Sequence, residues 1–119
     1  MPKVLLAEDD ATMVSLLTTL LKMEGFEVLE AQAEADIPAL VHREQPDVLF
    51  LDVHLGHQSG LEIVDTLRHD PGSKSVRVIM TSGMNLKEDC LARGADAFLL
   101  KPYGPDELLE TFKNVIAKA

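Results

Sequence analysis

Five short hydrophobic runs recur along the chain: Val4–Ala7, Phe26–Leu29, Val48–Leu51, Val76–Met80 and Ala97–Leu100. Most are nearly unbroken, the pattern of parallel strands covered on both faces. Longer segments of helical period separate them. The first places Met13, Leu16, Leu17 and Leu20 on one face. The second carries Ile37, Leu40 and Val41, with Pro38 in its first turn. The third runs from about Gly60 to His69 on Leu61, Val64 and Leu67, and stops near Asp70-Pro71-Gly72. The fourth, from about Leu86 to Arg93, has the poorest stripe: Leu86, Cys90 and Leu91. The fifth follows Gly104-Pro105 and repeats Leu108, Leu109, Phe112, Val115 and Ile116. Pro105 suits a first helical turn, where its missing N–H costs nothing.

This alternation, with no repeat or internal linker, predicts one α/β domain over residues 1–119. Its architecture would be a (βα)5 doubly wound, five-stranded parallel sheet with right-handed crossovers. A chain of 119 residues can bury a core without disulfides or a structural metal. With 4% aromatic residues and no Trp, that core must be mainly aliphatic. Cys90 is the single cysteine, which excludes an internal disulfide and a cysteine-based zinc cluster. Acids interrupt the apolar N-terminus at Glu8-Asp9-Asp10, so no signal-peptide core forms. No stretch reaches the roughly 20 apolar residues of a membrane span. A soluble, cytoplasmic protein is expected. The net charge of −9 argues against binding nucleic acid or anionic membrane directly.

In open parallel sheets, ligands sit outside the carboxyl ends of the strands. There the sequence places Glu8-Asp9-Asp10 after the first strand and Asp52 after the third. Thr81-Ser82 follow the fourth and Lys101-Pro102 the fifth. Two like charges about 4 Å apart repel by roughly 4 kcal/mol at an effective dielectric of 20. Lys101 can offset part of the repulsion among Glu8, Asp9 and Asp52. A hard divalent cation on an all-oxygen site can offset more, Mg²⁺ first and Mn²⁺ as the alternative. The set suits phosphoryl transfer. Asp52 would be the nucleophile, Asp9 a direct metal ligand and Glu8 a ligand through water. Thr81 and Lys101 would each contact a phosphoryl oxygen.

These residues resemble the receiver domain of two-component response regulators. Glu8-Asp9 is similar to its acidic pair, Asp52 to its phosphoacceptor and Thr81 to its hydroxyl residue. Lys101-Pro102 is similar to its lysine before a cis peptide. Gly60 and the segment Gly94-Ala95-Asp96-Ala97-Phe98 also match. The resemblance spans the whole chain and implies the flavodoxin-like strand order 2-1-3-4-5. It also implies a switch rather than an enzyme, one that catalyses its own phosphorylation and dephosphorylation. Its phosphodonor would be a sensor histidine kinase or a histidine phosphotransfer protein. His54 would lend Mg²⁺ its backbone carbonyl, and its imidazole would influence phosphoryl lifetime. Phe98 would swing inward with Thr81, changing a face made of the fourth helix, fifth strand and fifth helix. That face would control a downstream protein or output domain. Thr111 stands where one subfamily carries a basic dimerisation residue, so a monomer or weak dimer is expected. The resembling family usually has Pro where Gly56 stands, a change expected to loosen the loop after the third strand.

Taken singly, these residues have plainer roles. Asp9 or Asp10 could cap the first helix, and Thr81 or Ser82 the fourth. Lys101 could snorkel. His42, His54, His57 and His69 show no metal-ligand pattern, and Cys90 reads as a packed apolar residue. Three other readings compete. A haloacid-dehalogenase-type phosphatase needs Asp-x-Asp after its first strand. A flavin binder needs a phosphate loop that Glu8-Asp9-Asp10 would repel. A degenerate docking receiver would lack part of the set.

Overall fold

A computed structural model describes residues 1–117. Five strands, β1 (Lys3–Ala7), β2 (Glu27–Glu30), β3 (Val48–Asp52), β4 (Arg77–Ser82) and β5 (Ala97–Leu100), form one sheet. All pairings are parallel, in the order β2-β1-β3-β4-β5. The helices between them are α1 (Ala11–Met23), α2 (Ile37–Glu44), α3 (Gly60–His69), α4 (Lys87–Ala92) and α5 (Pro105–Ala117). The doubly wound flavodoxin-like fold is therefore present.

Successive strand residues point to opposite faces, and this divides the core in two. Leu5, Leu49, Leu51, Val78 and Met80 meet Ile37 and Val41 of α2, Val64 and Leu67 of α3, and Cys90 of α4. On the other face, Val4, Leu6, Val48, Phe50 and Ile79 meet Leu17 and Leu21 of α1 and Leu108, Phe112 and Val115 of α5. The rings of Phe50 and Phe112 stack there at 5.8 Å, and Phe26 meets Phe112 edge-on at 5.9 Å. Both faces are covered, so the strands need the continuous hydrophobicity seen in the sequence.

Two helical stripes differ from expectation. Leu16 is 50% exposed, while Leu17 and Leu21 are buried. The segment Met13-Val14-Ser15-Leu16-Leu17-Thr18-Thr19-Leu20-Leu21 contains two overlapping stripes one residue apart. Burial selects the one through Val14, Leu17 and Leu21. In α4, Leu91 points outward and only Cys90 is buried. This helix is six residues long, and its N-cap position, Leu86, supplies no side-chain hydrogen bond. Neither Thr81 nor Ser82 caps it. Asp10, Asp36 and Ser59 do cap α1, α2 and α3 through their side-chain oxygens.

A two-residue-per-strand antiparallel ladder, His54–Leu55 against Gln58–Ser59, follows β3 and was not anticipated. Gly56, with φ 59°, supplies the positive φ that the first turn position of such a hairpin demands. Among the described residues, no helix is long and apolar enough to cross a membrane.

Candidate functional site

The crossovers bring Glu8, Asp9, Asp52, Thr81 and Lys101 to one edge of the sheet. Glu8 and Asp9 follow β1 directly. Adjacent β3 ends in Asp52, whose register partner is Thr81 on β4. Lys101 follows β5 and precedes a cis peptide to Pro102.

One carboxylate oxygen from each of Glu8, Asp9 and Asp52 lies within 4.8 Å of the other two. Lys101 Nζ sits 2.7 Å from Glu8 Oε1 and 2.8 Å from Asp52 Oδ2. The second contact is a hydrogen bond. The first is an ion pair at hydrogen-bonding distance, so the ammonium is the partner of the buried Glu8 Oε1. Asp52 Oδ1 accepts the His54 N–H at 2.9 Å, so both oxygens of that carboxylate are fixed. Asp52 is 6% exposed and Glu8 3%, whereas Asp9 is open to solvent.

Burial raises the Glu8 carboxyl above its ordinary range. The Lys101 ammonium only partly offsets this, and the Asp52 charge adds to it. For Lys101, burial disfavours the ammonium, but pairing with Asp52 and Glu8 outweighs that and holds it well above an ordinary lysine. Lys101 is thus a fixed cation. Two carboxylates on one ammonium, with the solvent-facing Asp9 beside them, form a set of hard oxygen donors able to hold a divalent metal ion.

Around this cluster, Thr81 is fully buried and donates its hydroxyl to the Leu99 carbonyl at 2.8 Å, not toward Asp52. Ser82 Oγ accepts the Met84 N–H at 3.1 Å. Phe98 is half-buried against the core of the α2, α3 and α4 face. The imidazole of His54 is exposed. His42, His57 and His69 are also exposed, and none joins the cluster.

Three features were not found from the sequence. Tyr103, two residues beyond Lys101, buries its hydroxyl without a hydrogen-bond partner. Burial, then the Glu8 charge, keeps that phenol above its ordinary range. Nothing in its sequence position separated it from spacer, although its ring meets Phe50 edge-on at 6.3 Å. Arg68 is the second. Its guanidinium donates to the Gly94 carbonyl at 3.0 and 2.7 Å, and also to Lys74, Val76 and Asp96. The third is Gly56, whose N–H donates to Asp9 Oδ2 at 2.9 Å. The loop that glycine was expected to loosen is thereby tethered to the site.

Residues 4–113 match the response regulator receiver domain family. The chain belongs to that family.

This receiver domain is 29% identical over 118 residues to the phosphate regulon transcriptional regulatory protein PhoB of Pseudomonas aeruginosa. The match covers 97% of the chain but 52% of that relative, so the chain spans about half the length of such regulators. Among solved structures, a response regulator from Chloroflexus aurantiacus superposes with TM-score 0.90 at 29% identity. It covers 99% of this chain and 100% of its own. The receiver domain of the P. aeruginosa sensor histidine kinase PA1611 has TM-score 0.88 at 22% identity, covering 98% of each chain. That protein was crystallised with a magnesium ion coordinated in its active-site cleft. At that identity the likeness shows a shared fold.

Proposed function

We propose that this receiver domain, residues 1–119 acting as one unit, accepts a phosphoryl group on Asp52 in a Mg²⁺-dependent reaction. The donor is a phosphohistidine on a sensor histidine kinase or phosphotransfer protein. The observation that carries this reading is Lys101, paired at once with Asp52 and Glu8 beside an oxygen-donor cluster.

An Asp52 carboxylate oxygen forms the new P–O bond as the donor's P–N bond breaks, and the bonding pair stays on the imidazole. Asp9 and Asp52 would hold the metal directly, with the His54 carbonyl, and Glu8 would hold it through water. The bound cation would neutralise phosphoryl oxygens during transfer. Lys101 keeps its charge and, as the Asp52 carboxylate becomes an acyl phosphate, follows the negative charge onto a phosphoryl oxygen. Thr81 leaves Leu99 and donates its hydroxyl to another. Water attack at phosphorus later releases inorganic phosphate and restores the carboxylate, which makes the domain a switch with self-catalysed reset. The exposed imidazole of His54 at the mouth of the site modulates that reset.

Loss of the Thr81–Leu99 bond frees β5 and lets Phe98 repack inward, changing the α4-β5-α5 face. A downstream protein or output domain reads that face, with the receiver itself a cytoplasmic monomer or weak dimer. Borohydride reduction after treatment with a small acyl phosphate tests the acceptor. An aspartyl phosphate at residue 52 is reduced to homoserine, identifiable in the peptide by mass. Trapping at Asp9 or Asp10 instead would reject the assignment.

A further inference from the structure

The Gly56 N–H meets Asp9 Oδ2 at 2.9 Å from the tip of the hairpin that follows β3. The hairpin is itself anchored. Gln58 Nε2 donates to the Ala33 carbonyl at 2.8 Å and to the Ala35 carbonyl at 2.9 Å, tying it to the loop between β2 and α2. The left-handed φ of 59° at Gly56 aims the N–H at Asp9. Asp9 is otherwise the most exposed member of the acidic cluster and the one with no pairing to Lys101.

We infer that Gly56 is a positioning residue that orients Asp9 for the metal. A carboxylate offers two oxygens and about four acceptor sites. The Gly56 bond occupies one on Oδ2 and leaves Oδ1 free to ligate. Outer hydrogen bonds of this kind orient metal ligands, and removing one typically lowers metal affinity by about 10–100-fold. Here the donor is a backbone amide, so what matters is the residue's N–H and its φ. The bond persists when metal binds. This inference rests on the proposed site and specifies how its exposed ligand is held.

Three variants separate the effects. Gly56→Pro removes both the N–H and the positive φ, and Gly56→Ala keeps the N–H. The added Cβ lies 3.5 Å from Ala33 Cβ, an ordinary contact, although Ala is strained at positive φ. Asp9→Ala removes the acceptor. With one Tyr and no Trp, emission from Tyr103 reports on the site as Mg²⁺ is added. Wild type and Gly56→Ala should bind Mg²⁺ within about threefold of each other, and Gly56→Pro about tenfold more weakly or worse. By NMR hydrogen exchange, the Gly56 amide should be protected both without metal and at Mg²⁺ saturation, and lose protection in Asp9→Ala. Wild-type affinity in Gly56→Pro, or loss of protection at saturation, would overturn the inference while leaving the proposed function intact. No Mg²⁺ binding by wild type would overturn both.

Discussion

Thr81 donates a hydrogen bond from its hydroxyl to the Leu99 carbonyl at 2.8 Å and so closes a link between β4 and β5 at full burial. Its backbone lies opposite Asp52, yet its side-chain oxygen is engaged away from it. On the proposed function, the same hydroxyl would serve two partners in succession, the Leu99 carbonyl and then a phosphoryl oxygen. Thr81→Ala should lose about 1–2 kcal/mol in urea denaturation, from a buried hydrogen bond and a methyl. It should still accept a phosphoryl group, but leave the NMR resonances of Phe98 and Leu99 unchanged when it does. Thr81→Ser should restore the response. A Phe98 shift of wild-type size in Thr81→Ala would break the proposed link.

Glu8 has a raised pKa because it is buried, so its charged form is held at a cost. The sign follows from comparing folded and unfolded states. The folded pKa lies above the unfolded carboxylate value of about 4.3. Glu8's favourable contribution is fully present below that value and is lost as pH rises through the folded pKa. In metal-free protein at neutral pH, Glu8→Gln should be more stable by about 1 kcal/mol, the gain typical of relieving a strained functional site. The difference from wild type should vanish on acidification toward the unfolded value, where Glu8 is neutral. Mg²⁺ affinity should fall. A stability gain that is the same at every pH would contradict this account.

Gly60 opens α3 directly beneath Asp52. A Cβ there would lie 2.6 Å from the Asp52 carbonyl and 2.8 Å from Val53 Cα, both backbone atoms. Gly60→Ala should therefore cost about 1–3 kcal/mol, the range of overpacked cores. It should also weaken Mg²⁺ binding by displacing Asp52. Thermal melts with and without Mg²⁺ measure both effects, and a neutral substitution would show that the backbone yields.

Arg68 spans the carbonyls at the C-terminal ends of α3's following turn and of α4's loop, with its side chain 20% exposed. Arg68→Ala should cost about 2–3 kcal/mol, because charge-assisted bonds are lost and the Gly94 carbonyl loses its partner. Arg68→Lys should recover only part, since one ammonium cannot span those acceptors. Chemical denaturation decides it.

Much of this was legible in the sequence because it rests on strict periods. The hydrophobic runs of β1, β3 and β4 are the signature of a two-sided sheet, and strand-end placement then gathers Glu8, Asp9, Asp52, Thr81 and Lys101. Where two patterns compete, the sequence does not decide: Leu16 and Leu21 lie on rival stripes of α1, and tertiary burial chooses. Long-range polar ties are also invisible to periodicity. Arg68 reads as a helix-end charge, Gln58 as a loop residue and Gly56 as a source of slack. Each becomes informative only once the segments it joins are in place. The buried hydroxyl of Tyr103 belongs to the same class.

The most direct test of the account is intact mass after incubation with Mg²⁺ and acetyl phosphate, beside Asp52→Asn. One added phosphoryl group is expected on wild type, absent from Asp52→Asn and absent when Mg²⁺ is removed. A phosphoryl gain retained in Asp52→Asn, or one independent of Mg²⁺, would contradict it.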